Sequence, residues 1–360
     1  MKKISAYKKR SSISLSVAIS ILTVFSLLSA QEPYRVGTTA ANFLELGVGS
    51  AGISMGEAYV AAARDLSAIY WNPAGLAYME KNEVQVMYQP WIADINNAFA
   101  SVAIVLPRVG TLAAGITTFN YGEEEVTTLA MQDGTGETYT ANELAATLSF
   151  SRKLAAWFSF GASAKLISSS IWHMSASAAA VDLGVVVNTH FLTFGGDRED
   201  GLSIGMSIAN YGSRIKYDGI DLLNPIDIKP NENGNYADVQ GQFRMQAWEL
   251  PLIFRIGIAL HPIHTSMHRL TLALDALHPN NNSESVNLGA EYSLTFPGSA
   301  AVYLRGGYRG LFMDQSQFGA TFGGGLNLLL LNNAALKFDY AWRNVGLFGN
   351  RPAYTISIHF

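Results

Sequence analysis

Past residue 83 apolar side chains recur at every second position in segments of about ten residues, and few folds accept that pattern. Leu270, Leu272, Leu274 and Ala276 share one face of residues 269–277, with Arg269, Thr271 and Asp275 on the other. Leu250, Leu252, Phe254, Ile256, Ile258 and Leu260 oppose Glu249, Arg255 and Gly257; Leu336, Phe338, Tyr340 and Trp342 oppose Lys337, Asp339 and Arg343. Period two marks strands. Strands of soluble proteins average five or six residues, whereas a tilted strand crossing hydrocarbon needs about ten. Charged residues make up 14% of the chain, well below the usual quarter, and there are 33 Gly. Past residue 30 no run of ~18 apolar residues exists, so a bilayer would be crossed by strands.

Counting such segments gives about fourteen strands, near 83–90, 97–106, 110–121, 142–152, 156–169, 175–190, 201–210, 248–260, 268–277, 286–296, 299–309, 317–331, 334–343 and 351–360. The connections alternate. Residues 107–110, 152–155, 297–298 and 331–333 are tight, while 121–141, 211–247, 278–285 and 310–316 are longer and polar; 190–200 and 261–267 run long for the tight side. Short turns on one side and long loops on the other indicate an outer-membrane barrel with its long loops outside the cell. In the last segment Tyr354, Ile356, Ile358 and Phe360 point one way, the pattern of an outer-membrane assembly signal ending on an aromatic residue. Tyr88, Trp91, Trp157, Trp172, Tyr211, Trp248, Trp342 and Phe348, near strand ends, suit two interfacial girdles.

Residues 1–30 read as a cleaved signal peptide: Lys2, Lys3, Lys8, Lys9 and Arg10 precede an apolar stretch over 13–28, and Leu28-Ser29-Ala30 supplies the cleavage pattern. A retained N-terminal anchor is the alternative. No Cys follows the cleavage site, which excludes a lipoprotein, and the chain has no Cys for disulfides or thiolate metal sites. A net charge of −4 without a basic stripe gives no case for nucleic acid.

Residues 31–80 differ from the rest. After a lead-in over 31–41, Gly47, Gly49, Gly52 and Gly56 allow close backbone packing. Ile53, Met55, Ala58, Tyr59 and Ala62 predict a helix over roughly 50–63, and Asn72-Pro73-Ala74-Gly75 ends the segment. One compact helical piece before a run of strands predicts an all-β transmembrane antiparallel barrel (residues 81–360) with a helical plug (31–80) in its lumen.

Phe43-Leu44, Gly47-Val48-Gly49-Ser50-Ala51, Met55-Gly56, Ala58, Val60-Ala61, Asp65, Ala68 and Tyr70-Trp71-Asn72-Pro73-Ala74-Gly75-Leu76, with Trp91-Ile92-Ala93-Asp94 further on, resemble the PorV/PorQ family within the wider FadL-like barrels. Beyond that block the resemblance extends over the mature chain only as barrel pattern and terminal Phe360. It implies a fourteen-stranded outer-membrane barrel entered by its N-terminal segment, beside the type IX secretion machinery. The PorV-like member receives cargo carrying a C-terminal sorting domain; the PorQ-like member has an accessory role. FadL-like relatives instead pass hydrophobic molecules through a hatch and a gap in the wall.

Chemical motifs are sparse. The G-x-G-x-x-G of residues 47–52 with Asp65 lacks the βαβ unit that dinucleotide binding requires, so plug packing explains its glycines. His261, His264 and His268 have no carboxylate near them in sequence, which disfavours a metal. Asp218, Asp221, Asp227, Glu232 and Asp238 match no Ca²⁺-loop spacing and read as solvated loop acids. Asn281-Asn282-Ser283 fits a glycosylation acceptor but is too common a pattern to use. No nucleophile–base constellation stands out, so the expectation is a protein without enzymatic activity, cofactor or metal. Inward Lys165, Asp182, Glu249, Arg255, Arg269, Asp275, Glu291, Arg305, Lys337, Asp339 and Arg343 carry both signs, which favours pairing across strands and onto the plug over an open channel.

The leading reading is a barrel that binds secreted cargo or secretion components through its loop 211–247, where Ile220, Leu222, Leu223, Ile226 and Ile228 lie among the acids after Asp218. The alternative is uptake of apolar solutes, which needs an apolar pocket near Phe43, Leu46, Tyr59 and Trp71.

Overall fold

The computed structural model describes residues 35–193, 200–236, 238–330 and 334–360. The expected signal peptide lies outside them, as do residues 331–333 of one expected turn.

Fourteen strands close a single antiparallel barrel. The first seven are β1 (Glu83–Pro90), β2 (Asn96–Leu106), β3 (Gly110–Glu125), β4 (Thr138–Ala155), β5 (Phe158–Ile171), β6 (Met174–Asn188) and β7 (Ser203–Gly212). A long rim loop then carries β8 (Asp218–Gly219), β9 (Leu223–Ile226) and β10 (Val239–Gln242). The wall resumes with β11 (Ile253–His264), β12 (His268–Pro279), β13 (Ser285–Phe296), β14 (Ala300–Leu311), β15 (Ala320–Leu329), β16 (Ala335–Asn344) and β17 (Asn350–His359). Wall neighbours follow chain order, β7 pairs with β11 across the loop, and β17 returns to β1 with Glu83 opposite His359. Closure leaves the wall without a free edge, which a lipid environment requires.

The alternation sorts the faces as the sequence predicts. On β17, Tyr354, Ile356 and Ile358 point outward while Thr355 and Ser357 are buried inside. Phe360 follows the strand, exposed, its N–H donating to the Asn82 carbonyl at 3.0 Å.

Several boundaries differ from expectation. Both ends of the expected loop 121–141 are wall: Glu123, Glu124 and Glu125 pair with Thr140, Tyr139 and Thr138. Backbone pairing continues there with both faces wet, so no apolar alternation announces it. The β5–β6 link is Trp172–His173 alone, a tight turn on the side of the long loops. β11 begins at Ile253, not 248, because Trp248 bonds across the loop to Ile215, and Glu249 lies exposed against Arg214, outside the lumen. The β11–β12 turn is tight after all, Thr265 bonding to the His268 carbonyl.

Candidate functional site

The segment before β1 is enclosed by the wall. Of the expected helix over 50–63 only Ser50–Ser54 is helical; the next turns are irregular, because Gly56 and Glu57 both take positive φ (65° and 63°). A second helical turn spans Ala68–Trp71, and a 3-10 turn Pro73–Tyr78 follows, with Asn72 Oδ1 accepting from Ala74 N–H at 3.1 Å and Pro73 at its first position. Trp71 is fully buried. Its Nε1 donates to the Val48 carbonyl at 2.8 Å, and its ring covers Gly47 and Gly52, where a Cβ would come within 2.9 and 2.6 Å of it. Gly49 holds the same kind of contact against Ser67, and Gly75 against the Ala63 carbonyl. These four glycines are close-approach positions within the segment, whereas Gly56 approaches the wall backbone of Leu288 and Tyr308.

The segment is tied to strands all round the barrel. Ser50 N–H donates to Thr355 Oγ1 (2.9 Å) on β17 and Gly56 N–H to Thr321 Oγ1 (2.8 Å) on β15. On β12, Asp275 Oδ2 accepts the N–H groups of Tyr59 (2.7 Å) and Val60 (2.8 Å). Ser207 on β7 donates to the Trp71 carbonyl, and Asn72 Nδ2 donates to the Val185 carbonyl on β6. Glu57 Oε1 accepts from Arg309 (2.8 Å) and Arg343 (3.1 Å). Asp65 accepts from Ser67 and Tyr59 and stands 3.7 Å from Lys337 Nζ.

Six wall glycines match these contacts: Gly161, Gly184, Gly205, Gly289, Gly307 and Gly323 face inward, and a Cβ on any of them would clash with the segment. Sequence reasoning passed over them, along with Glu57 and Arg309. The available signal was glycine at inward positions of six strands, where a polar side chain otherwise stands.

At the place of the expected apolar pocket lies a space of about 20 Å³ between Phe43, Leu46, Tyr70 and Phe99, and neither Tyr59 nor Trp71 lines it. A larger cavity of about 200 Å³ has a mixed lining, with Arg64, Asp65, Arg269, Glu291, Arg305 and Lys337 on one hand and Met55, Tyr59, Ala62 and Tyr303 on the other. Around it the inward charges pair: Arg305 with Glu291 and Asp339 (2.6 Å each), Lys337 with Asp339 (3.1 Å). On β5 and β6, Lys165 pairs with Asp182 at 2.7 Å. The histidines separate: His261 Nδ1 contacts Thr271 at 3.1 Å, His268 contacts Tyr292, and His264 pairs with Asp200 at 2.6 Å, a carboxylate that sequence spacing could not supply. Trp91, expected in a girdle, instead lies 4.4 Å under the Arg343 guanidinium.

Burial acts on the segment's own titratable groups. It raises the Glu45 carboxyl above its ordinary value, opposed by a 2.5 Å bond from Asn281, and pushes the Tyr70 phenol up to about 12.

The rim loop is ordered at its base. Met174 and Ser175 on β6 pair with Gly219 and Asp218, His173 Nδ1 meets Asp221 at 2.9 Å, and the Thr39–Ala40 backbone docks on Glu249. Above this base β9 and β10 form a hairpin with Ile226 opposite Val239. Ile220, Leu223, Ile226 and Ile228 are exposed; Leu222 is buried, correcting the expectation that it faces a partner.

A family model described as type IX secretion system protein PorV matches residues 29–232, more than half of the chain. The chain belongs to the PorV family. The matched region holds the inner segment, the first seven wall strands and part of the rim loop. No curated protein matches the chain. Among solved structures, this PorV-family barrel resembles the toluene transporter TodX of Pseudomonas putida (TM-score 0.55, 11% identity, 87% of this chain and 98% of that one). It also resembles the toluene transporter TbuX of Ralstonia pickettii (0.53, 10%, 87% and 97%) and a FadL homologue of Pseudomonas aeruginosa (0.51, 11%, 87% and 98%). At that identity the likeness is one of fold, a closed antiparallel barrel.

Proposed function

We propose that this protein is a non-enzymatic outer-membrane component of type IX secretion that holds a secreted partner, or another secretion component, at the cell surface through the loop between β7 and β11. The family match supports the choice of pathway. The observation that carries the mechanism is the division of labour in the molecule: the inner segment is bonded to the wall on all sides, whereas the rim loop presents Ile220, Leu223, Ile226 and Ile228 to solvent on an anchored base. Exposed apolar side chains in an ordered loop mark a binding surface. Deleting residues 218–238 tests this. Recovery of secreted cargo with the purified barrel should fall to background while the barrel stays heat-modifiable; undiminished recovery removes the loop from the mechanism.

Passage of apolar solutes, suggested by the FadL-like fold, is the weaker reading. The apolar space beside Phe43 and Leu46 is about 20 Å³, room for roughly one water molecule, and the 200 Å³ cavity sets six charged side chains beside Met55, Tyr59, Ala62 and Tyr303. Uptake of a hydrophobic solute into vesicles carrying the protein, above that of empty vesicles, would reverse this preference.

A further inference from the structure

The two edges of the rim hairpin are not equivalent. Phe243 N–H donates to the Leu222 carbonyl at 2.9 Å, which sets the phase of the ladder. With Leu223 opposite Gln242 and Pro225 opposite Gln240, the backbone groups of Asn224 and Ile226 point at β10, while those of Leu223 and Pro225 point away. The outer edge of β9 is closed to pairing. Pro225 has no N–H, and the N–H of Leu223 is taken by the Ile220 carbonyl in the short 3-10 turn before it. On the other strand Gln240 and Gln242 turn their backbone groups outward, and among the described residues no strand pairs with β10 on that side.

That open edge is furnished for a strand. Val239 and Phe243 lie on one face of β10, both exposed, with Ile226 across from Val239 and its side chain over Gly241. An added strand with apolar residues at alternate positions extends that face. Exposed Asp238 stands at one end of the edge and exposed Arg244 at the other, so the complementary strand carries a cation at the first and an anion at the second. The hairpin is also held in place: Gln242 Nε2 donates to Asp218 Oδ1 at 2.8 Å, and Asp218 belongs to β8, paired with β6. A strand added here extends a sheet already oriented by the barrel.

We propose that the outer edge of β10 is a strand-addition site for an extended segment of a second polypeptide, apolar at every other residue and charged in opposite senses at its ends. The proposal rests on the reading of this loop as a partner-binding surface, not on which secretion partner is bound.

The test uses the full chain in lipid nanodiscs and a short synthetic peptide of alternating valine and threonine, lysine at one end and glutamate at the other. Bound peptide should slow hydrogen exchange at the Gln240 and Gln242 amides. Gln240→Pro removes one outward N–H without touching the β9 ladder, and it should weaken binding by roughly tenfold, the worth of a hydrogen bond with some strain. Gln240→Ala keeps the N–H and should bind as the parent does. Equal binding by the proline and alanine variants, or protection at Leu223 in place of Gln242, overturns strand addition. So does an edge occupied by a second copy, seen as a dimer that Gln240→Pro dissociates. Cargo recovery that is lost on deleting 218–238 yet intact in Gln240→Pro sinks strand addition alone; recovery intact in both sinks the loop reading itself.

Discussion

Glu57 Oε1 lies 3.1 Å from Arg343 Nη1, joining a residue of left-handed backbone in the inner segment to a buried guanidinium on β16. Both side chains are almost wholly buried, and Arg309 reaches the same oxygen at 2.8 Å. Removing the carboxylate leaves two buried cations with no anion between them. Glu57→Ala should lower unfolding free energy by about 3–5 kcal/mol in denaturant titrations in lipid vesicles. Exchanging Arg343 for Met in that background should recover part of the loss. An unaffected midpoint would mean that the pair does not hold the segment.

The wall glycines make a sharper prediction about the segment than its own residues do. At Gly307 a side chain meets the backbone of Met55 and Gly56, whereas at neighbouring Gly306 the nearest atom is Phe322 Cδ1 at 3.7 Å. Overpacking costs about 1–3 kcal/mol where neighbours cannot move. Gly307→Val should unseat the segment and raise single-channel conductance in planar bilayers, while Gly306→Val should leave it unchanged. Equal conductance in the two variants would contradict a segment held by close approach to the wall.

Glu45 gives a dependence on pH. Burial raises its carboxyl above the ordinary value near 4.5, so the folded state prefers the protonated form. Its contribution is fully present below that ordinary value and is lost as pH rises through the raised one. The melting temperature of the barrel should therefore fall as pH rises above about 4.5. Glu45→Gln still accepts from Asn281, and it should remove that portion of the fall. Identical pH slopes in parent and variant would show that Glu45 does not titrate on folding.

Phe360 offers a test that separates assembly from stability. Phe360 lies past the last wall strand with its ring exposed, bonded to Asn82 only through the backbone. Phe360→Ala should reduce the amount of assembled barrel in cells and leave refolding into detergent unchanged. Loss in both measurements would assign Phe360 a structural role.

The sequence alone determined the class of wall: strand length, period two and scarce charge require a lipid-embedded cylinder, and alternation assigns each side chain to lipid or lumen. Tyr354, Ile356 and Ile358, or Lys337 and Asp339, could be placed that way because a strand has only two faces. Tertiary structure decided everything that depends on which lumen residues meet. Glu57 finds Arg309 and Arg343 across more than two hundred positions of chain, His264 finds Asp200 from another turn, and Gly307 is needed only because Gly56 stops there. The hairpin of β9 and β10 was equally hidden, since a wet strand with both faces in solvent carries no periodic signal. Alternation records the nearest environment of a residue and carries no information about distant partners, which closure of the barrel alone brings into contact.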